Sequence, residues 1–233
     1  ETNFFGLKNV EKHSFTMKTL ADAISLRNRL IDMLEQAENE KNPKIKERLL
    51  TFVIVGGGFA GVETAGEIND FLHDAVSYYH NTKKDDIHVI LVEATPTILQ
   101  GFNKRLTEYA HNKLEKNGIK IVLENAVTSF DGKNVILNKL SRPSVGIDSK
   151  NIINSHTLVW TAGVTPVEII QNSIFKIKKG KIIVNEFLEI PNHPGVFAIG
   201  DCSQFDDEVN NKFPPTAQLA EAHAKLVAYN IKQ

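Results

Sequence analysis

The segment Thr51-Phe-Val-Ile-Val-Gly-Gly-Gly-Phe-Ala-Gly-Val-Glu-Thr-Ala-Gly-Glu67 decides the fold. Phe52 to Val55 is a continuous apolar, mostly β-branched run, the mark of a buried strand. After the glycines, Val62, Ala65, Ile68, Phe71 and Leu72 recur at helical spacing. The order is therefore strand, tight turn, helix. Gly56, Gly58 and Gly61 fit the G-x-G-x-x-G pattern. In that pattern the first glycine makes the turn, the second lets a pyrophosphate approach the backbone, and the third lets helix and strand pack closely. The helix start adds free N–H groups and a partial positive charge suited to phosphate.

A second apolar run, His88-Val-Ile-Leu-Val-Glu93, ends in an acid. In dinucleotide folds an acid at the tip of the second strand accepts hydrogen bonds from the adenosine ribose, so Glu93 is the candidate. It lies farther along than the usual ~20 residues, with the polar stretch Asn81-Thr-Lys-Lys-Asp-Asp86 as the excess. A carboxylate here repels a 2′-phosphate, which favours NAD(H) over NADP(H).

Upstream, Leu20, Ala23, Ile24, Leu30, Ile31 and Leu34 predict an amphipathic helix that breaks within the charged stretch from Glu35 to Lys46. Arg27 and Arg29 on it read as solvated charges. Residues 1–15 show no sustained period. Downstream of Glu93, a Pro- and Gly-containing loop to Phe102 lies at a strand's carboxyl end, where open α/β sheets bind ligands. Leu106, Tyr109, Ala110 and Leu114, stopped by Asn117-Gly118, predict a helix, and Ile119 to Glu124 a third strand. A hairpin follows, Val127 to Phe130 and Asn134 to Leu137 around Asp131-Gly132, then a polar loop with Arg142-Pro143 and Gly146. The strand beginning at Thr157 ends in small residues, Ala162 and Gly163, which would admit a ligand to the backbone. Beyond Val167 come a short helix, a turn at Lys179-Gly180 and a strand from Lys181 to Val184. A strand from Val196 to Ile199 then delivers Gly200-Asp201. A last helix starts around Pro214-Pro-Thr216 and buries Ala217, Ala220, Ala224, Val227, Ala228 and Ile231.

The 233 residues carry a formal charge of −1, with lysines interspersed among acids. No basic stripe of the kind nucleic-acid binding needs is present. The single cysteine, Cys202, excludes an internal disulfide and a C-x-x-C pattern within this chain, and eight scattered histidines give no metal spacing. No run approaches the ~18 apolar residues of a membrane span. The opening Glu1-Thr-Asn-Phe-Phe-Gly6 reads like the inside of a longer protein, so a fragment is expected.

Four motifs in order, Gly56 to Glu67, Leu158-Val-Trp-Thr-Ala-Gly163, Gly195-Val-Phe-Ala-Ile-Gly-Asp201 and Pro214-Pro-Thr-Ala-Gln218, resemble the type II NADH dehydrogenases of the two-dinucleotide-binding-domain flavoproteins. The resemblance implies an α/β fold: a Rossmann-like NAD-binding domain with a parallel sheet, helices and a β-meander, followed by the C-terminal part of a Rossmann-like FAD-binding domain. It places the end of the FAD domain's first half at residues 1–14, the NAD(H)-binding domain at 15–163 and the return to the FAD domain at 164–233. The implied cofactors are FAD and NAD, and the implied chemistry is hydride transfer from NADH to flavin and on to a quinone.

By the same resemblance, Glu63 lies near the nicotinamide, and Gly200 with Asp201 reaches the FAD ribityl chain. The helix start at Ala217 faces the flavin pyrimidine, and Gln218 sits near quinone and flavin. Without a ligand, Glu63 would simply pair with its helix dipole, and Glu67 reads as structural or ribose-directed. A second glutamine common in the family is replaced by Ala222, beside Glu221 and His223, the latter a candidate proton donor. Peripheral attachment to the cytoplasmic side of a membrane is implied for the full-length protein, solubility for the fragment, with homodimerisation open. Two alternatives stand beside this reading: a sulfide:quinone oxidoreductase or other flavin disulfide reductase, and an NAD(H)-binding fragment without turnover.

Overall fold

The computed structural model describes residues 2–140, 151–163, 167–178, 180–205 and 216–232. The loop holding Arg142-Pro143 and Gly146, the turn residue Lys179 and the prolines Pro214 and Pro215 lie outside the described residues. The chain forms two compact units, Thr2–Gly163 and Val164–Gln233.

In the first unit, helices α1 (Lys8–His13), α2 (Leu20–Asn39) and α3 (Pro43–Leu49) precede strand β1 (Thr51–Val55). Helix α4 (Phe59–Ala75), strand β2 (His88–Val92), helix α5 (Lys104–Lys116) and strand β3 (Lys120–Val122) follow. Strands β4 (Asn125–Phe130), β5 (Asn134–Lys139), β6 (Asn151–Asn154) and β7 (Thr157–Trp160) complete it. A parallel sheet has the order β3-β2-β1-β7, and a separate antiparallel sheet the order β4-β5-β6.

All five residues of β1 are buried, because the sheet is covered on both faces. Successive side chains alternate between those faces. Phe52 and Ile54 join a core with Leu26, Leu30 and Leu34 of α2 and Ala65, Ile68 and Leu72 of α4. Val53 and Val55 join a second core with Val127, Phe130, Val135 and Leu137 of the antiparallel sheet. The unit is thus three layers, helices, parallel sheet and meander, and each fully buried aliphatic or aromatic side chain contributes about 1.5–3 kcal/mol.

Three local readings differ from the structure. First, α2 starts at a Thr19/Asp22 capping box and ends at Asn39, within the charged stretch as expected, but turns a partly different face to the sheet. Leu26, Leu30, Met33, Leu34 and Ala37 are buried, whereas Leu20, Ile24 and Ile31 are exposed. The helix carries more apolar residues than one face can hold, and the fit against β1 and α4 selects among them. Its charged last turns are held by the segment that follows α4. The Glu38 carboxylate accepts the backbone N–H groups of His80, Asn81 and Thr82 and the Thr82 hydroxyl, and the Tyr79 hydroxyl donates to Glu35 at 2.8 Å.

Second, α5 buries Thr107 and Leu114 but leaves Leu106 and Tyr109 exposed. Third, Asn151–Asn154, not read as a strand from its local pattern, forms β6 and completes the meander that the resemblance implies. Residues 2–14, which show no sustained period, pack with the sheet. Val10 is fully buried against the meander, Phe4 stacks on Trp160 at 5.7 Å, and Trp160 Nε1 donates to the Asn3 carbonyl at 3.0 Å.

The second unit contains α6 (Glu168–Gln171), β8 (Ile177–Lys178), β9 (Lys181–Val184), β10 (Ser203–Phe205) and α7 (Ala217–Ile231). Its sheet has the order β10-β9-β8, around a core of Ile182, Val184, Leu188, Ile190, Ala198 and Val227. The expected strand from Val196 to Ile199 is reduced to one bridge, Phe197 with Glu189, and the strand proper begins at Ser203. Gly200-Asp201 therefore opens a 3-10 turn ahead of a strand instead of ending one. Of the face expected to be buried on α7, only Val227 is; Ala217, Ala224, Ala228 and Ile231 are exposed. Three short strands offer too little surface to cover a 15-residue helix.

Candidate dinucleotide site and flavin-type turn

At the carboxyl end of β1 the three glycines separate into three physical roles. Gly56 has φ +108°, a conformation L side chains rarely adopt, and a Cβ there would lie 2.9 Å from the Ala162 nitrogen. A Cβ on Gly61 would lie 1.7 Å from the Gly56 carbonyl oxygen, so α4 can approach the turn only without one. Gly58 is the opposite case: an added Cβ would meet no protein atom within 4 Å. A side chain there would project into the open space above the turn, the space a ligand's phosphates need. Gly58 is also the N-cap of α4 and has no side chain to cap it, so the first-turn N–H groups face that space without a side-chain acceptor.

Glu93, just past β2, reaches this turn. One carboxylate oxygen accepts the Gly57 N–H and the other accepts the Thr95 N–H at 2.7 Å. The following loop is tied down as well: the Leu99 N–H donates to the Gly57 carbonyl at 2.7 Å, and Ile98 and Leu99 are buried. Phe102 meets Phe59, the first residue of α4, edge to face at 4.7 Å between ring centres. The structure therefore brings Gly56, Gly58, Gly61, Glu93 and Ala162 together at one strand edge.

Gly163 stands differently. Its φ is +71°, and its Cβ position is filled by the Asn3 carbonyl and the Phe5 ring at 2.8 Å, so its small size serves packing by the first residues of the chain. Glu63, just past the first turn of α4, is exposed and its side chain makes no hydrogen bond or ion pair among the described residues. Arg29, read as solvated, is half-buried. Its guanidinium donates to the His156 carbonyl at 2.7 Å and lies over the Phe15 ring at 5.9 Å. Burial lowers its pKa, against the pull of Asp32.

In the second unit, Gly200 has φ +64°, and its Cβ would lie 3.3 Å from that of Ala220 on α7. The Gly200 N–H donates to His223 Nδ1 at 3.2 Å. That bond requires an unprotonated Nδ1, and burial lowers the His223 pKa, so His223 acts as an acceptor in this turn through Nδ1. Asp201 is exposed and without a hydrogen-bond or ion-pair partner among the described residues. The Thr216 hydroxyl caps α7 by accepting the Leu219 N–H at 3.2 Å, leaving Ala217 and Gln218 exposed on its first turn.

A parallel sheet with a glycine turn and a strand-end acid gives the first unit the Rossmann-like α/β architecture of dinucleotide-binding folds. Residues 1–224 match the pyridine nucleotide-disulphide oxidoreductase family, and the chain belongs to that family. It is 35% identical over 231 residues to an external alternative NADH-ubiquinone oxidoreductase of Yarrowia lipolytica, covering 96% of this chain and 38% of that protein. It is 27% identical to a type II NADH:quinone oxidoreductase of Staphylococcus saprophyticus, covering 100% of this chain and 56% of that protein. The chain thus spans roughly two-fifths to just over half the length of these curated relatives. The fold is similar to that of NDH2 from Plasmodium falciparum solved with NADH, with TM-score 0.76 and 22% identity over 88% of this chain and 42% of that one.

Proposed function

We propose that residues 15–163 are the NAD(H)-binding part, and residues 1–14 and 164–233 the end of the first half and the return segment of the FAD-binding part, of a flavin-dependent NADH dehydrogenase that reduces a quinone. The observation that carries the NADH half is the open Gly58 position beside the Glu93 carboxylate. The relatives' names, as NADH-quinone oxidoreductases, support the reaction.

The residues present fit both cofactors. Gly58 and the first turn of α4 would hold the pyrophosphate through backbone N–H groups and the helix dipole. Glu93 would accept the adenosine ribose hydroxyls with the oxygen capacity left beyond its two backbone bonds. Those bonds fix its orientation before the nucleotide arrives, and its charge disfavours a 2′-phosphate. Glu63 would position the carboxamide end or carry a proton there. In the second unit, the unpartnered Asp201 would accept a ribityl hydroxyl, and the first turn of α7 at Ala217 and Gln218 would place its dipole against negative charge developing on a bound ring. When bound, FAD supplies the hydride-accepting and electron-relaying chemistry. We extend the same proposal to peripheral membrane association on the cytoplasmic side and to a homodimer in the full-length protein. Among the described residues no helix is long and apolar enough to cross a membrane.

The test is NADH titration of the purified chain by calorimetry, with an absorbance spectrum before and after. A yellow protein bleached by NADH supports the dehydrogenase, and colourless protein that binds NADH reduces the reading to a binding module. Unimpaired NADH binding by a folded Gly58→Val variant would overturn the ligand placement.

A further inference from the structure

At the opposite edge of the same sheet, where the strands begin, lies a half-open cavity of about 640 Å³. Its rim is basic. Lys44 and Arg48 stand four residues apart on one face of α3, Lys120 opens β3, and His88 opens β2. Register brings these strand starts to one end of the sheet: Thr51 pairs with His88, and Lys120 pairs with Ile90, two residues further along β2. The far wall is β6, through Ile152, Ile153 and Asn154.

Among the described residues, Glu47 is the one acid in this lining, against the three permanent cations Lys44, Arg48 and Lys120. Among the described residues, none of these three cations is in an ion pair. Elsewhere on the unit, cations do find acids, as Lys46 does with Asp86 at 3.8 Å and Lys104 with Glu108 at 3.5 Å. Three like charges lining one cavity with a single carboxylate among the described residues repel one another, and a multivalent anion among them removes that repulsion. A guanidinium offers a planar fork of donors to phosphate oxygens, and two ammonium groups add freely rotating donors. Small-molecule sites span about 300–1,000 Å³, so the cavity has room for more than the phosphates. The exposed Ile152 of β6 offers an apolar surface to the rest of the ligand.

We infer that this cavity, formed by α3, the starts of β2 and β3, and the edge strand β6, is a second site on the unit, one that binds a phosphate-bearing ligand through Arg48, Lys44 and Lys120. It lies at the amino ends of the strands, the length of β1, roughly 13 Å, from the glycine turn. Its occupancy is independent of the dinucleotide cradle.

The experiment uses inorganic pyrophosphate as probe, titrated by calorimetry into the purified chain and into Gly58→Val, which blocks the cradle. Saturable, salt-sensitive binding is expected in both. Arg48→Gln and Lys120→Gln should each weaken it about tenfold, the loss of one charge-assisted hydrogen bond. Exposed Lys44→Gln provides the same test should either substitution disturb folding, which thermal melts report. Sedimentation with phosphatidylcholine vesicles containing phosphatidylserine, run on the same proteins, separates the two sources of the phosphate. Vesicle binding lost in Arg48→Gln assigns the site to a lipid headgroup, and pyrophosphate binding without vesicle binding assigns it to a soluble phosphate. Absence of both in the wild-type chain overturns the proposal. So does pyrophosphate binding that disappears in Gly58→Val and persists in Arg48→Gln, because the cradle would then be the only site. Either result leaves the NADH reading to its own titration.

Discussion

The backbone N–H of Gly57 donates to the carboxylate of Glu93, joining the turn after β1 to the tip of β2. Because Thr95 N–H holds the other oxygen, the acid is part of the turn's structure as well as a candidate ribose acceptor. Glu93→Ala should therefore cost both stability and NADH affinity. A loss of about 1–3 kcal/mol is expected for the unpaired amides. Glu93→Gln keeps an acceptor oxygen and should recover part of the stability while still weakening NADH binding. Thermal melts and calorimetric titrations of both variants measure the two effects separately.

Gly58 and Gly61, one turn apart, should respond in opposite ways. Gly61→Ala forces a Cβ to 1.7 Å from the Gly56 carbonyl and should strongly destabilise or unfold the first unit. Gly58→Ala has no protein atom to meet and a φ of −74°, so its stability should stay within about 1 kcal/mol of wild type while NADH binding falls. A Gly58→Ala chain that lost its fold would contradict this division of roles.

His223 accepts the Gly200 N–H, and burial holds its folded pKa below the ordinary 6.5. Above 6.5 both folded and unfolded chains carry neutral imidazole, and no penalty applies. As pH falls below 6.5 the unfolded chain takes up a proton that the folded one resists, so stability drops until the lowered folded pKa is reached. Hydrogen exchange at the Gly200 amide, followed from pH 8 to 5 (roughly the window histidine titrations span), should show protection lost as pH decreases. Constant protection would refute the assignment.

Arg29 ties α2 to the start of β7 through the His156 carbonyl and, at 3.4 Å, the Thr157 hydroxyl. Arg29→Ala should destabilise the first unit by about 1.5–3 kcal/mol, the range for a hydrogen bond to a charged group together with lost packing on Phe15. Arg29→Lys should not restore it, since one ammonium cannot reproduce the fork. Urea denaturation of the two variants checks both statements.

The sequence by itself determined what depends on local chemistry. The run from Phe52 to Val55, the glycines and the periodic start of α4 specify strand, turn and helix, because each residue type there has few conformations to choose from. The Asp131-Gly132 turn specifies its hairpin for the same reason; the Asp131 carboxylate accepts the N–H groups of Lys133 and Asn134 and caps the turn locally. The strand-end position of Glu93 was equally legible.

What only the tertiary structure decided is which of several equivalent faces or partners is used. Leu20, Ile24 and Ile31 follow helical spacing as well as Leu26, Leu30 and Leu34 do, and only packing against the sheet ranks them. The strand β6 exists because β5 offers it an edge, and the bond that makes His223 an acceptor joins residues 23 positions apart. Glu93 shows the division in one side chain. Its place in the chain marks it as the candidate acid of a dinucleotide site, while its bond to Gly57 depends on two strands lying parallel and in register, a relation that exists only once the sheet has formed.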